Sequence, residues 1–303
     1  MRLINSHARV RVPATSGNLG PGFDSMGMAH DLWDEVAVTL TTGASRVVIL
    51  GEGSQTLPRD ESHLIVQTIK TTLERLGAPS SGIDLVCRNK IPHGRGLGSS
   101  AAAIVAAIML VKGLIDRPDA LDEAAMLKLA TEFEGHPDNA APAIYGGATL
   151  SWGEGDGLET ARLNVSPNVK TALLVPNEVL PTSQARSVLP SAVPHRDAVF
   201  NSARSALLVH ALEHQPELLF AATADKLHQD YRADSMPKSA AMLEALRAAN
   251  WPAVISGAGP TILVFAHIDA PMAKILGEQG FRVINSTQVR GAHFVDDNGN
   301  VQS

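Results

Sequence analysis

Residues 92–103 read Pro-His-Gly-Arg-Gly-Leu-Gly-Ser-Ser-Ala-Ala-Ala and run directly into an apolar stretch that continues to Leu110. A chain written this way opens a buried helix with a glycine loop. Gly94, Gly96 and Gly98 can take φ > 0 or let a ligand approach the backbone. The first N–H groups of the helix lack intrahelical partners and its N-terminus carries partial positive charge, so the segment is built to hold an anion, phosphate above all. The loop lacks the Gly-Lys-Ser/Thr ending of a P-loop. Its third-glycine position, read as a dinucleotide fingerprint, holds Ser99. Asp116 falls at the distance where that fingerprint wants an acid, but beyond Gly113 in a loop, which disfavours a Rossmann reading. A plain glycine turn is the alternative for such a loop on its own. The Ser99-Ser100 pair favours a ligand site, since two hydroxyls at a helix start can cap N–H groups and also reach a phosphate or its metal.

A chain of 303 residues exceeds the usual single core, and two domains are expected, 1–165 and 166–303. The net charge of −6 argues against nucleic acid or an anionic membrane as partner and leaves small molecules. Cys87, the single cysteine, lies in an alternating apolar run and reads as a buried strand residue; disulfides and cysteine-rich metal sites are excluded. The N-terminus lacks the apolar core of a signal peptide, and Ala101 to Leu110 is too short to span a bilayer, so the expected compartment is the cytoplasm. A homodimer is compatible with all of this and required by none of it.

Strands are expected at residues 7–12, 33–40, 83–88, 148–152, 171–175, 253–256 and 262–265, and helices at 62–76, 121–134, 197–213, 216–229 and 239–249, with Ser62 capping the first. Asp269 reads as the cap of a further helix with Pro271 in its first turn. Pro13 to Asp24 is too rich in glycine and proline to be regular. The elements mix without a βαβα rhythm, which favours α+β layers.

Three separated blocks, Pro13–Asp24, Pro92–Ala103 and Ser256–Thr261, together resemble the GHMP kinase superfamily. Pro-Ala-Thr-Ser-Gly-Asn-Leu-Gly-Pro-Gly-Phe-Asp at 13–24, and Glu134 to Gly147, look like its homoserine kinase branch, and the order of the blocks matches along essentially the whole chain. Gly17 stands where alanine is commoner, which should only loosen the loop. The resemblance implies a two-domain α+β fold: an N-terminal ribosomal-protein-like domain with a left-handed βαβ crossover, then a C-terminal ferredoxin-like α/β sandwich. It implies ATP-dependent phosphorylation of the side-chain hydroxyl of L-homoserine, giving O-phospho-L-homoserine on the route to threonine.

The site residues follow from the same resemblance. Pro92, His93, Gly94, Arg95, Gly96, Leu97, Gly98, Ser99, Ser100, Ala101 and Ala102 should surround the nucleotide, with Ser100 and Glu132 holding Mg²⁺ and Glu134 as the alternative acid; a solvated helix face is the competing reading for both acids. Arg186, Arg232 and Thr182 should meet the substrate carboxylate end, because arginine's planar fork suits a carboxylate. Asp24 with Asn18 should take the ammonium group, against the alternative that both merely brace a turn. Asn139, Asp138 and His136 should orient the reacting hydroxyl, and no residue stands out as a strong base. The alternatives are another superfamily kinase acting on a mevalonate-like acid, or a ligand-sensing homologue without catalysis. The presence of Glu132, Asp138 and Asn139 favours an enzyme.

Overall fold

The computed structural model describes residues 1–79, 81–296 and 298–302. Two sheets organise it. In the first, β1 (His7–Gly17), β2 (Met26–Thr41), β3 (Arg46–Gly51) and β4 (Gly82–Asn89) run in the order β1-β2-β4-β3. The pair β3 and β4 is parallel, joined through helix α1 (Leu64–Arg75), so these three form the βαβ unit. A hairpin of β5 (Ala148–Trp152) and β6 (Glu159–Leu163) extends from β2. Beneath the sheet lies α2 (Ser99–Leu114), buried on nearly every side because its sequence is apolar or small all round. It is flanked by α3 (Glu123–Glu134) and α4 (Ala140–Tyr145).

The second sheet comprises β7 (Thr171–Pro176), β8 (Ala253–Ile255), β9 (Ile262–Val264) and β10 (Phe281–Ser286) in the order β10-β7-β9-β8, all antiparallel. Between β7 and β8 come α5 (Thr182–Ser187), α6 (His195–Glu213), α7 (Leu219–Ala222), α8 (Gln229–Arg232) and α9 (Pro237–Ala248); α10 (Ala270–Glu278) joins β9 to β10. That βαββαβ path is the ferredoxin-like arrangement. Strands β7, β8 and β9 are buried on both faces and divide their side chains by parity. Leu173, Val175, Val254 and Leu263 join the large core of the first sheet, with Leu208 and Leu212 of α6. Ala172, Leu174, Ile255 and Ile262 instead meet Leu246 of α9 and Leu276 of α10.

Four local expectations are corrected. The segment 13–17 is not an irregular loop: β1 continues to Gly17 against β2, and Pro13, which has no N–H to give, sits where the register shifts. His63, not Ser62, caps α1, its Nδ1 accepting from Ile65 N, while Ser62 turns to Asp60. The expected helix at 216–229 is broken after Ala222, because the Asp225 carboxylate takes the N–H groups of Leu227, His228 and Gln229 and starts a new turn. Finally, the chain beyond Val289 returns to the first sheet, where β11 (His293–Phe294) pairs with β1. A division at 165/166 does not anticipate that return. Among the described residues no helix is long and apolar enough to cross a membrane.

Candidate active site

The cleft lies where the start of α2 meets the turn between β8 and β9. Gly94, Gly96 and Gly98 all adopt positive φ, as the alternating glycines require. Three consecutive loop carbonyls are held from behind: Arg95 O by Thr261 N at 3.2 Å, Gly96 O by Ser256 Oγ at 2.5 Å and Leu97 O by Thr15 N at 3.1 Å. In a planar trans peptide the N–H points opposite to the C=O. The N–H groups of Gly96, Leu97 and Gly98 are thereby turned toward the cleft. From Gly94 to Ala101 no backbone N–H finds an acceptor among the described residues. The first strand, the second domain and the helix start together leave these N–H groups available to an anion.

Around them stand most of the expected groups. Asn18, Pro92, Gly94 to Ser100, Asp138, Asn139, His136, Thr182, Arg186 and Arg232 line one cleft, joined by Glu134, Gly257 and Ala258. Ser99 Oγ bonds His93 Nδ1 at 2.7 Å. Arg95 donates to the carbonyls of Pro176, His93 and Asn177, so its guanidinium ties the loop to the second domain. Ala101 is buried and Ala102 gives its N–H to Gly98 O, so neither alanine presents a side chain to the cleft. The methyl of Ala102 lines a second cavity with Val36, Leu57, Pro58, His63 and Ile65, which shares Gly94, Ser99 and Ser100 with the first.

The acid beside Ser100 is Glu134, whose Oε1 accepts from Ser100 Oγ at 2.5 Å; burial pushes its carboxyl above the usual range, partly offset by that hydrogen bond. Glu132 is corrected: it is exposed and ion-paired with Arg75 on the outer face of α3. Successive helical residues turn by about 100°, so positions two apart face opposite ways.

His136 Nδ1 lies 2.5 Å from Asp138 Oδ1, which also accepts from Asn139 Nδ2 at 3.1 Å, and Thr15 Oγ1 donates to Asn139 Oδ1 at 2.9 Å. Gly17 is what permits this packing: a Cβ there would lie 2.1 Å from Asp138 Oδ2, so the residue does more than loosen a loop. Burial disfavours the imidazolium of His136, but the hydrogen bond and charge of Asp138 outweigh it and hold the ring's pKa above the ordinary 6.5. A raised folded-state value stabilises the fold below the unfolded value and loses that stabilisation as pH rises through the folded one. The difference in melting temperature between the wild type and His136→Gln is therefore expected to be largest near about pH 6 and to shrink as pH rises. A pH-independent difference in thermal unfolding would contradict it.

The amino-acid end differs from expectation in one respect. Asp24 is not open: Arg186 Nη2 donates to its Oδ1 at 2.6 Å and Nη1 to its Oδ2 at 3.2 Å. Asn18 braces the same loop, accepting from Asp24 N at 2.9 Å and donating to Gly257 O at 2.8 Å. Arg232 is 1% exposed. It donates Nε to Ala185 O at 3.0 Å and Nη1 to His228 Nδ1 at 2.9 Å, leaving Nη2 without a protein acceptor among the described residues. Burial, then repulsion from Arg186, lowers its pKa to about 10, still charged at neutral pH. Both guanidinium groups lie over the Phe23 ring, at 5.8 Å for Arg186 and 5.6 Å for Arg232. Phe23, His228, Gly257 and Ala258 complete these surroundings beyond the expected residues, and of them Phe23 and the Gly257 turn lie inside the recognisable sequence blocks.

A two-domain α+β architecture with a glycine cradle at its junction defines a GHMP kinase. The description "GHMP kinases N terminal domain" matches residues 63–147 and "GHMP kinases C terminal" matches 203–276. Within that class the chain belongs to the homoserine kinase family. It is 52% identical over 262 residues to the homoserine kinase of Streptomyces coelicolor, covering 86% of this chain and 85% of that protein. It is 45% identical over 296 residues to that of Cutibacterium acnes, covering 96% and 100%. The crystal structure of homoserine kinase from Cytophaga hutchinsonii superposes with a TM-score of 0.84 at 27% identity, covering 96% of this chain and 98% of that one. A mevalonate kinase crystal structure shares the fold, with a TM-score of 0.67 at 16% identity, covering 93% and 99%.

Proposed function

We propose that the protein is a cytoplasmic enzyme that transfers the γ-phosphoryl group of ATP to the side-chain hydroxyl of L-homoserine, giving O-phospho-L-homoserine for threonine synthesis. The observation that carries the ATP half is the run of N–H groups from Gly94 to Ala101 without acceptors among the described residues. The shared second cavity suits the purine.

Ser100 Oγ and Glu134 fit a hard cation, being two oxygen donors already in contact at the mouth of the cradle. They would hold Mg²⁺ delivered with ATP, which supplies charge neutralisation at the phosphate oxygens.

For the amino acid, Arg232 Nη2 and the Arg186 fork take the α-carboxylate, with Thr182 beside them, and Asp24 takes the α-ammonium. The Asp24–Arg186 pair makes binding an exchange of partners: a zwitterion replaces both charges at once, whereas a simple acid leaves Asp24 unpaired. Asn139 and Asp138 orient the hydroxyl. His136, in contact with Asp138 through Nδ1, helps orient the same hydroxyl. A loose transition state needs positioning and charge more than a base, so the hydroxyl proton leaves late, to phosphate or solvent. On this account Asp138→Asn lowers kcat without the loss of many orders of magnitude expected of a removed base.

A coupled assay with L-homoserine, L-serine and mevalonate tests the assignment, and turnover of mevalonate in preference to L-homoserine would defeat it. Asp24→Asn removes one charge-assisted contact and should cost about ten- to hundredfold in kcat/KM for homoserine, with the KM for ATP unchanged. Equal losses for both substrates would reject Asp24 as the ammonium partner.

A further inference from the structure

The carbonyl of Gly96 is held differently from its neighbours. Arg95 O and Leu97 O accept from backbone N–H groups, whose directions the fold fixes, but Gly96 O accepts from the Ser256 hydroxyl. Ser256 Oγ lies 2.6 Å from Ser16 Oγ, which lies 2.7 Å from His30 Nε2. All three side chains are fully buried. A hydroxyl has a single proton, so the directions follow from the end of the chain. Gly96 O only accepts, and Ser256 therefore spends its proton there. Ser16 must then donate to Ser256, and His30 must donate its Nε2–H to Ser16.

We propose that His30, Ser16 and Ser256 are positioning residues, a one-way chain of donors that fixes the Gly96–Leu97 peptide plane and so presents the Leu97 N–H to phosphate. The chain starts on β2, crosses β1 and reaches the loop through the second domain. With the other tautomer of His30, Nε2 would take the Ser16 proton. Gly96 O and Ser16 Oγ would then compete for the single Ser256 proton, and an Nδ1–H would be left without an acceptor among the described residues. The Nε2–H form leaves only a lone pair on Nδ1 unpartnered, which is the less costly orphan. Burial agrees, pushing the His30 pKa down to about 3 and keeping the ring neutral.

The proposal rests on the reading of the loop as the phosphate site, and the test separates the two. In a ¹⁵N-histidine spectrum of the wild-type protein, His30 is expected as the neutral Nε2–H tautomer, assigned by its loss in His30→Gln. An Nδ1–H tautomer or a charged ring at neutral pH overturns the chain. Calorimetric binding of a non-hydrolysable ATP analogue is expected to weaken about three- to tenfold in Ser16→Ala and in Ser256→Ala. The double variant should be no worse than the weaker single one, because both act through one chain. Unchanged binding, or additive losses, overturns the proposal. Failure of the wild type itself to bind the analogue instead rejects the phosphate site.

Discussion

Replacing Gly96 with alanine is expected to reduce kcat/KM for ATP by about a hundredfold or more, from two costs that act together. The residue sits at φ 72°, and a side chain in that left-handed region costs about 1–2 kcal/mol. A Cβ would also lie 2.2 Å from Ser256 O and 2.8 Å from Gly259 N. These are backbone atoms, so no rotamer change relieves the clash, and overpacking of this kind adds about 1–3 kcal/mol. The loop must move off the second domain, and the three restrained peptides lose their common orientation. Steady-state kinetics with ATP varied, beside calorimetry of L-homoserine, measures the effect. Selective loss on the ATP side is the expected result, and wild-type ATP kinetics would show that the cradle does not depend on this contact.

Glu134→Gln is expected to lower kcat by about a hundred- to a thousandfold, the scale on which losing one aligned electrostatic contact to the transition state is felt. Saturation with Mg²⁺ should shift to higher concentration in the same variant. Glu132→Gln supplies the contrast, since it removes only an exposed ion pair with Arg75 worth at most about 1 kcal/mol of stability. Its rate against Mg²⁺ concentration should overlay the wild type. If Glu132→Gln carries the loss and Glu134→Gln does not, the choice of acid is wrong.

That pair of glutamates shows how far the sequence could be read. The helix ending at Glu134 was legible, and the family resemblance offered both Glu132 and Glu134 as the acid near Ser100. Which acid points inward depends on where α3 starts its rotation, and two residues along a helix reverse the answer. The glycine cradle was legible because its chemistry is local: three glycines, two serines and a helix start. The same holds for the Asp269 cap, whose Oδ1 accepts from Met272 N. The Asp24–Arg186 pair was not legible, since it joins residues 162 positions apart through folding alone. Nor was the room that Gly17 makes for Asp138, which comes from α4 packing against β1. Extended β1 was hidden because Pro13, which usually breaks a strand, is tolerated at a register shift.

The return of the chain to β1 bears on how the enzyme moves. Gly147 N bonds Val289 O, Ala292 N bonds Ala143 O and Val295 N bonds Arg9 O, so the residues after β10 are stitched to the first sheet. The ferredoxin-like unit is thus an insert carried on two stalks, one leaving β6 and one arriving at β11. A body hung from a single stalk swings; a body hung from two is held like a drawbridge with both chains taut. Any relative movement of the two halves must therefore accommodate both connections at once.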